Sequence, residues 1–266
     1  MYYFSRFLTT HEIGALCTDA LMAYSPTHNE LDLSRSATLE AVRDRLEVRL
    51  GRRLRYFGAF LLLVCDTTIE TANGNASEGW HTDGSCALVS GDCFNAWIPL
   101  YNSSRSSGLE VITDCDNAWI YEHLGDPASP LEVFVRGSAS HIFDRLGASD
   151  GTDLLLLRRA LRKSLLLEWK ALHVARYDAP AAGDLALFRQ TEIHRGVHRD
   201  GVRIQLSLKF LDERAIDLRS PDAAIVPEKQ LSKHGRIEAQ LVRELLSLQA
   251  KSCASNAEIS QWFFKM

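Results

Sequence analysis

Gly51 separates two periodicities, and that break constrains the fold more than any other feature of this sequence. Before it, apolar residues recur every three to four positions. Leu39, Val42, Leu46 and Leu50 form one helical stripe, and Gly51 stands where such a helix ends. Thr9 followed by Glu12 has the form of a capping box. A first helix is therefore expected from Thr9 to about Tyr24, and a second from about Ala37 to Leu50. Residues 2–8 alternate weakly and read as a short strand. After Gly51 the pattern turns to short runs rich in β-branched and aromatic residues: 54–65, 93–100 with an end at Pro99, 109–113, 132–135, 172–177, 184–188 and 202–210. Asp200-Gly201 is a hairpin signal before the last of them.

Two helices followed by many short strands fit one domain over 1–266, mainly β with flanking helices. The expected architecture is a double-stranded β-helix barrel of the jelly-roll or cupin-like kind. Residues 1–52 would form its helical buttress, 148–173 a helical insertion and 213–266 a C-terminal helical extension, helical from about 236 to 249. The formal charge of −4 and the scattered Lys and Arg speak against a general nucleic-acid partner. The longest apolar runs are too short to cross a bilayer, and the N-terminal stretch lacks the form of a signal peptide. Six cysteines without a paired Cys-x-x-Cys are expected to be reduced thiols of a cytoplasmic protein.

The chemistry centres on Gly79-Trp80-His81-Thr82-Asp83-Gly84. On an extended segment, residues two apart point to the same side, so the His81 imidazole and the Asp83 carboxylate converge on one point. That is two thirds of a facial His/His/carboxylate site for Fe(II). The chain contains nine His and a second His-x-Asp, His198-Arg199-Asp200. There the Asp is accounted for by the turn that follows. A further imidazole must come from downstream, with His194 and His198 as candidates. On the strand 202–210, Arg203, Gln205 and Ser207 face one side, while Ile204, Leu206 and Leu208 face the other. An Arg aimed into the interior needs an anion, because a buried unpaired guanidinium is costly. A dicarboxylate held in a bidentate grip would supply it; an Asp or Glu partner at the rim is the alternative.

Taken together, His81-x-Asp83, His194 and Arg203 resemble the Fe(II)/2-oxoglutarate-dependent oxygenases. The surrounding text is similar to the phytanoyl-CoA dioxygenase-like branch: Glu78 to Gly84, Ala96-Trp97-Ile98-Pro99-Leu100, Ser107 to Ile112, Gly183 to Phe188, and Ile193-His194-Arg195-Gly196. The resemblance implies iron held by His81, Asp83 and His194. It implies 2-oxoglutarate on the metal with its far carboxylate on Arg203, and O₂ at the remaining position. Ser207, Asn95 and Trp97 are implied beside the cosubstrate. Trp80, Arg189 and Arg105 are candidates for substrate contact. Decarboxylation to succinate would drive oxidation of an unactivated C–H in a small molecule. Hydroxylation is the default and desaturation or cyclisation the variants, in a setting of secondary metabolism. Family halogenases carry a small residue where Asp83 stands, which argues against halogenation. Gln205 stands where some relatives carry Ser, and Thr113-Asp114-Cys115-Asp116 where many carry Pro-Gly-Ser-His. The other readings are a non-catalytic cupin-like metal binder and an oxygenase of macromolecules; neither a nucleic acid nor a membrane is expected as partner.

Between the two histidines, a tight Asp200-Gly201 turn would put His198 opposite Arg203 and His194 opposite Ser207. The metal must lie one 2-oxoglutarate length from the guanidinium, so this register favours His194.

Overall fold

Thr9 and Glu12 begin the first helix by capping each other. In the computed structural model the Glu12 amide donates to Thr9 Oγ1 at 3.2 Å, and the Thr9 amide donates to Glu12 Oε2 at 2.8 Å. The structure describes residues 1–27, 30–65, 89–103, 108–112, 174–192, 194–197, 201–218 and 233–263. Helix α1 (Thr10–Ala23) buries Ile13, Leu16, Cys17 and Ala20, the spacing of a single helical face. Helix α2 (Ala37–Leu50) is capped by Ser36 Oγ, which accepts from the Leu39 amide at 3.1 Å. It ends at Gly51, whose φ of 63° is the left-handed conformation that glycine adopts without strain. Both helices match the sequence expectation. Helix α3 (Lys233–Phe263) runs further at both ends than the expected 236–249.

The strands are β1 (Tyr2–Phe4), β2 (Glu30–Leu31), β3 (Leu54–Cys65), β4 (Val89–Ser90), β5 (Cys93–Asn102) and β6 (Gly108–Ile112). They continue with β7 (Val174–Tyr177), β8 (Leu185–Arg189), β9 (His194–Val197), β10 (Val202–Asp212) and β11 (Ile216–Asp217). Mainly strand with a few helices is therefore the architecture. One sheet has the order β1-β8-β5-β10-β3-β2, a second β7-β6-β9 and a third β11-β4. Among the described residues every pairing is antiparallel.

The two faces of the six-stranded sheet do different work. Ile204, Leu206, Leu208 and Phe210 of β10 share a core with Phe94, Ala96, Ile98 and Leu100 of β5 and with buried residues of all three helices. Trp97 of β5 and Ala186 and Phe188 of β8 face the other way. They pack against Leu109 and Val111 of β6, which joins this face to the three-stranded sheet. On that same side β10 presents Arg203, Gln205, Ser207 and Lys209, all buried.

Two local expectations are corrected. Pro99 does not end β5, which continues to Asn102. The pairing with β10 shifts register between Ile204 and Gln205, placing Pro99 opposite Gln205 and Tyr101 opposite Ile204. A bulge next to a residue without an N–H lets the ladder resume beyond it. The second correction concerns β9. It does not form a hairpin ladder with β10 but pairs with β6, His194 opposite Val111 and Gly196 opposite Leu109. Both edges of β10 are taken, by β3 and β5, so β9 has no edge there to join.

The His81 segment, the strand expected at 132–135 and the insertion expected at 148–173 lie outside the described residues. Cys17 and Cys253 are buried free thiols, and Cys93 is buried as well. Among the described residues no helix is long and apolar enough to cross a membrane.

Candidate functional site

Arg203 enters the space between the two larger sheets from β10 and is 1% exposed. Its Nη1 donates to the carbonyls of Gly108, at 2.9 Å, and Val197, at 3.0 Å. The guanidinium carbon lies 5.4 Å from the centroid of the Trp97 ring. Both hydrogen bonds leave from Nη1, so the Nε–Nη2 edge is the one able to grip a carboxylate with two parallel bonds. Nε is buried without a partner among the described residues, as are Trp97 Nε1 and Gln205 Oε1. No Asp or Glu pairs with Arg203 among the described residues, and the side chain is buried rather than at an exposed rim. Burial pushes the guanidinium pKa down to about 10, so the group keeps its charge at neutral pH. A buried cation without a counter-ion costs several kcal/mol on the order-of-magnitude scale of desolvation. A guanidinium edge left open in this way can accept an anion.

His194 opens β9, is 6% exposed and packs its ring 4.7 Å from that of Phe188. Its Nδ1 lies 2.9 Å from the Glu192 carbonyl oxygen. A carbonyl only accepts, so Nδ1 carries the proton, and in the neutral ring the lone pair sits on Nε2. Metal-ligating imidazoles are commonly oriented in this way. The Glu192 side chain fixes the preceding turn, its Oε2 accepting from the Arg189 amide at 2.5 Å. His194 and Gly196 lie on one face of β9, with Arg203 Nη2 against Gly196. The position beside the guanidinium is therefore two residues along β9 from His194, roughly 7 Å of strand.

The structure brings Trp97 and Ser207 to this space, directly opposite one another on β5 and β10. Asn95 shares the face, its Oδ1 accepting from Lys209 Nζ. Arg189 is not brought in: it leaves β8 on the other side, with a side chain 46% exposed and paired to Asp92 at 3.7 Å. Trp80, His81, Asp83, Arg105 and His198 lie outside the described residues. Among the described residues no three His, Cys, Asp or Glu form a group that could hold a metal.

Three contributing residues were not anticipated from the sequence. Glu192 acts through its carbonyl, which no side-chain motif reveals. Glu110, 4% exposed, holds Arg195 at 2.6 Å and Arg176 at 3.0 Å, and so ties β9 and β7 to β6 on the face away from His194. Gly196 had a visible signal, since a glycine inside a strand marks a bulge or a close approach.

No protein-family model matches the chain, and no curated protein matches it. Solved structures do resemble it. One is the non-heme alpha-ketoglutarate-dependent carbocyclase SnoK from nogalamycin biosynthesis, at 12% identity and a TM-score of 0.49, covering 86% of this chain and 88% of that one. Another is the epimerase SnoN in complex with Fe³⁺, alpha-ketoglutarate and nogalamycin RO, at 14% identity and a TM-score of 0.48, covering 86% and 88%. A third is HygX from Streptomyces hygroscopicus with nickel and 2-oxoglutarate bound, at 12% identity and a TM-score of 0.46, covering 86% and 89%. The likeness is remote at these values, and the ligands and reactions in those names belong to those proteins.

Proposed function

We propose that this chain is an Fe(II)- and 2-oxoglutarate-dependent oxygenase that hydroxylates an unactivated C–H of a small molecule of secondary metabolism. The observation that carries this reading is Arg203: a fully buried guanidinium whose Nε finds no partner among the described residues. The far carboxylate of 2-oxoglutarate matches that edge in charge, geometry and hydrogen-bonding capacity. His81, Asp83 and His194 are the residues that would hold the iron, and the tautomer fixed by the Glu192 carbonyl supports the role of His194. The sequence motifs resemble those of the phytanoyl-CoA dioxygenase-like branch, which supports this reading. In this reading the six-stranded and three-stranded sheets are the two walls of a double-stranded β-helix barrel.

When bound, the iron centre supplies C–H oxidation by O₂ coupled to decarboxylation of 2-oxoglutarate to succinate. The protein's own contribution is positional. Arg203 anchors the cosubstrate and is itself aimed by the carbonyls of Gly108 and Val197. The Trp97 ring, 5.4 Å from the guanidinium carbon, is an apolar wall beside it, and a low local dielectric strengthens an ion pair formed there. Phe188 packs against His194, and Glu192 holds its Nδ1 proton, so the ring cannot turn away. Purified protein with Fe(II), ascorbate and 2-oxoglutarate should release succinate slowly even without substrate. Iron-loaded protein that neither binds 2-oxoglutarate nor forms succinate would refute the proposal.

A further inference from the structure

Gly196 lies on the same face of β9 as His194, two residues along and opposite Leu109 of β6. A Cβ built there would lie 3.3 Å from Arg203 Nη2. That is tighter than most real Cβ contacts, so either the guanidinium or the strand has to give way by a few tenths of an ångström. The guanidinium has little room to do so. Nη1 is bound to two carbonyls, the ring of Trp97 lies 5.4 Å from the guanidinium carbon, and the side chain is 1% exposed. One of the two carbonyls is that of Val197, the next residue on β9. Strand β9 thus both aims the guanidinium and, by lacking a side chain at Gly196, makes space for it.

From this we infer that Gly196 is a positioning residue that sets the affinity for the cosubstrate carboxylate separately from the affinity for metal. The inference rests on the oxygenase reading above. Moving Nη2 off β9 turns the Nε–Nη2 edge, so a bidentate carboxylate loses one of its two parallel bonds. His194 keeps its partner, because its Nδ1 is held by Glu192 and not by Arg203. Gly108 is closed to side chains for an unrelated reason: a Cβ there would lie 1.7 Å from the Tyr177 carbonyl oxygen and would break β6 away from β7. Among the described residues Gly196 has no such backbone neighbour within contact distance. Because glycine weakens a strand interior, alanine at this position has no intrinsic reason to unfold β9.

The test uses the full chain and two calorimetric titrations: Ni(II) alone, then 2-oxoglutarate into the Ni(II)-loaded protein. Gly196→Ala should bind Ni(II) within about threefold of the parent and 2-oxoglutarate roughly tenfold more weakly, the scale of one charge-assisted hydrogen bond. Gly196→Ser should lose more. In an Arg203→Lys background, where there is no Nη2 to displace, Gly196→Ala should change 2-oxoglutarate affinity by less than about twofold. Parallel loss of Ni(II) and 2-oxoglutarate would mark a simple strand defect and overturn the inference, as would additive losses in the double variant. A parent that binds both ligands, with Gly196→Ala binding them equally well, overturns this inference alone. A parent that binds Ni(II) but no 2-oxoglutarate overturns the oxygenase reading and takes this inference with it.

Discussion

Arg203 Nη1 donates to the Val197 carbonyl oxygen at 3.0 Å, although the two residues belong to different sheets. Six positions apart in sequence, they are joined across the interior after the chain has crossed from β9 to β10. The bond fixes the Arg203 side chain to the strand that carries His194, so backbone atoms hold the two residues in one frame.

Replacing Arg203 with Met should remove the response to 2-oxoglutarate. In thermal melts with a divalent metal, the parent should gain about 2.7 kcal/mol at a ligand concentration one hundred times its Kd, and Arg203→Met should gain nothing. Without ligand, the variant should lie within about 2 kcal/mol of the parent. Relief of an uncompensated buried charge offsets the loss of the bonds to Gly108 and Val197. A variant that still responds to 2-oxoglutarate would place the carboxylate elsewhere.

His194→Ala should lose metal affinity by more than the roughly 10–100-fold typical of an outer-shell change, whereas His198→Ala should keep it. Equilibrium dialysis against Fe(II) or Ni(II) measures both. The expectation rests on the Glu192 carbonyl holding Nδ1 of His194 and on the position of His194 beside Gly196. The reverse result would make His198 the ligand.

Asp184→Ala should destabilise the fold by about 2–4 kcal/mol in chemical denaturation. Asp184 is 4% exposed and accepts from the Tyr3 hydroxyl at 2.6 Å, the Arg6 amide at 2.7 Å and the Ala181 amide at 2.8 Å. These bonds hold β1 on the edge of β8. Tyr3→Phe removes one of them and should cost about 1 kcal/mol. Equal costs for the two variants would show that the backbone donors find other partners.

Glu12→Gln should lower stability at neutral pH by about 1 kcal/mol, with the difference closing in acid. Burial raises the Glu12 pKa, but the hydrogen bonds from Thr9 and the charge of Arg45 outweigh it and hold the group below its ordinary 4.5. A depressed carboxylate pKa stabilises the fold above the unfolded value, and the contribution is lost as pH falls through the folded value. Melting parent and variant between pH 7 and pH 3 tests this. A gap that widens in acid would give the shift the opposite sign.

Much of the frame was legible in the chain because it follows from local rules. Thr9 with Glu12, the stripe ending at Gly51 and the alternation from Arg203 to Leu208 each involve residues within a few positions of one another. Helix caps, a left-handed glycine and strand alternation need no knowledge of partners. The sequence by itself therefore determined where α1 and α2 start and stop, which side of β10 is apolar, and that Arg203 points away from that side. The tertiary structure alone decided that β9 joins β6, that Arg203 is aimed by the carbonyls of Gly108 and Val197, and that Gly196 leaves room for it. Strand pairing depends on which edges are already occupied, and backbone carbonyls are the same at every position. Neither leaves a mark on the residue types that a sequence displays.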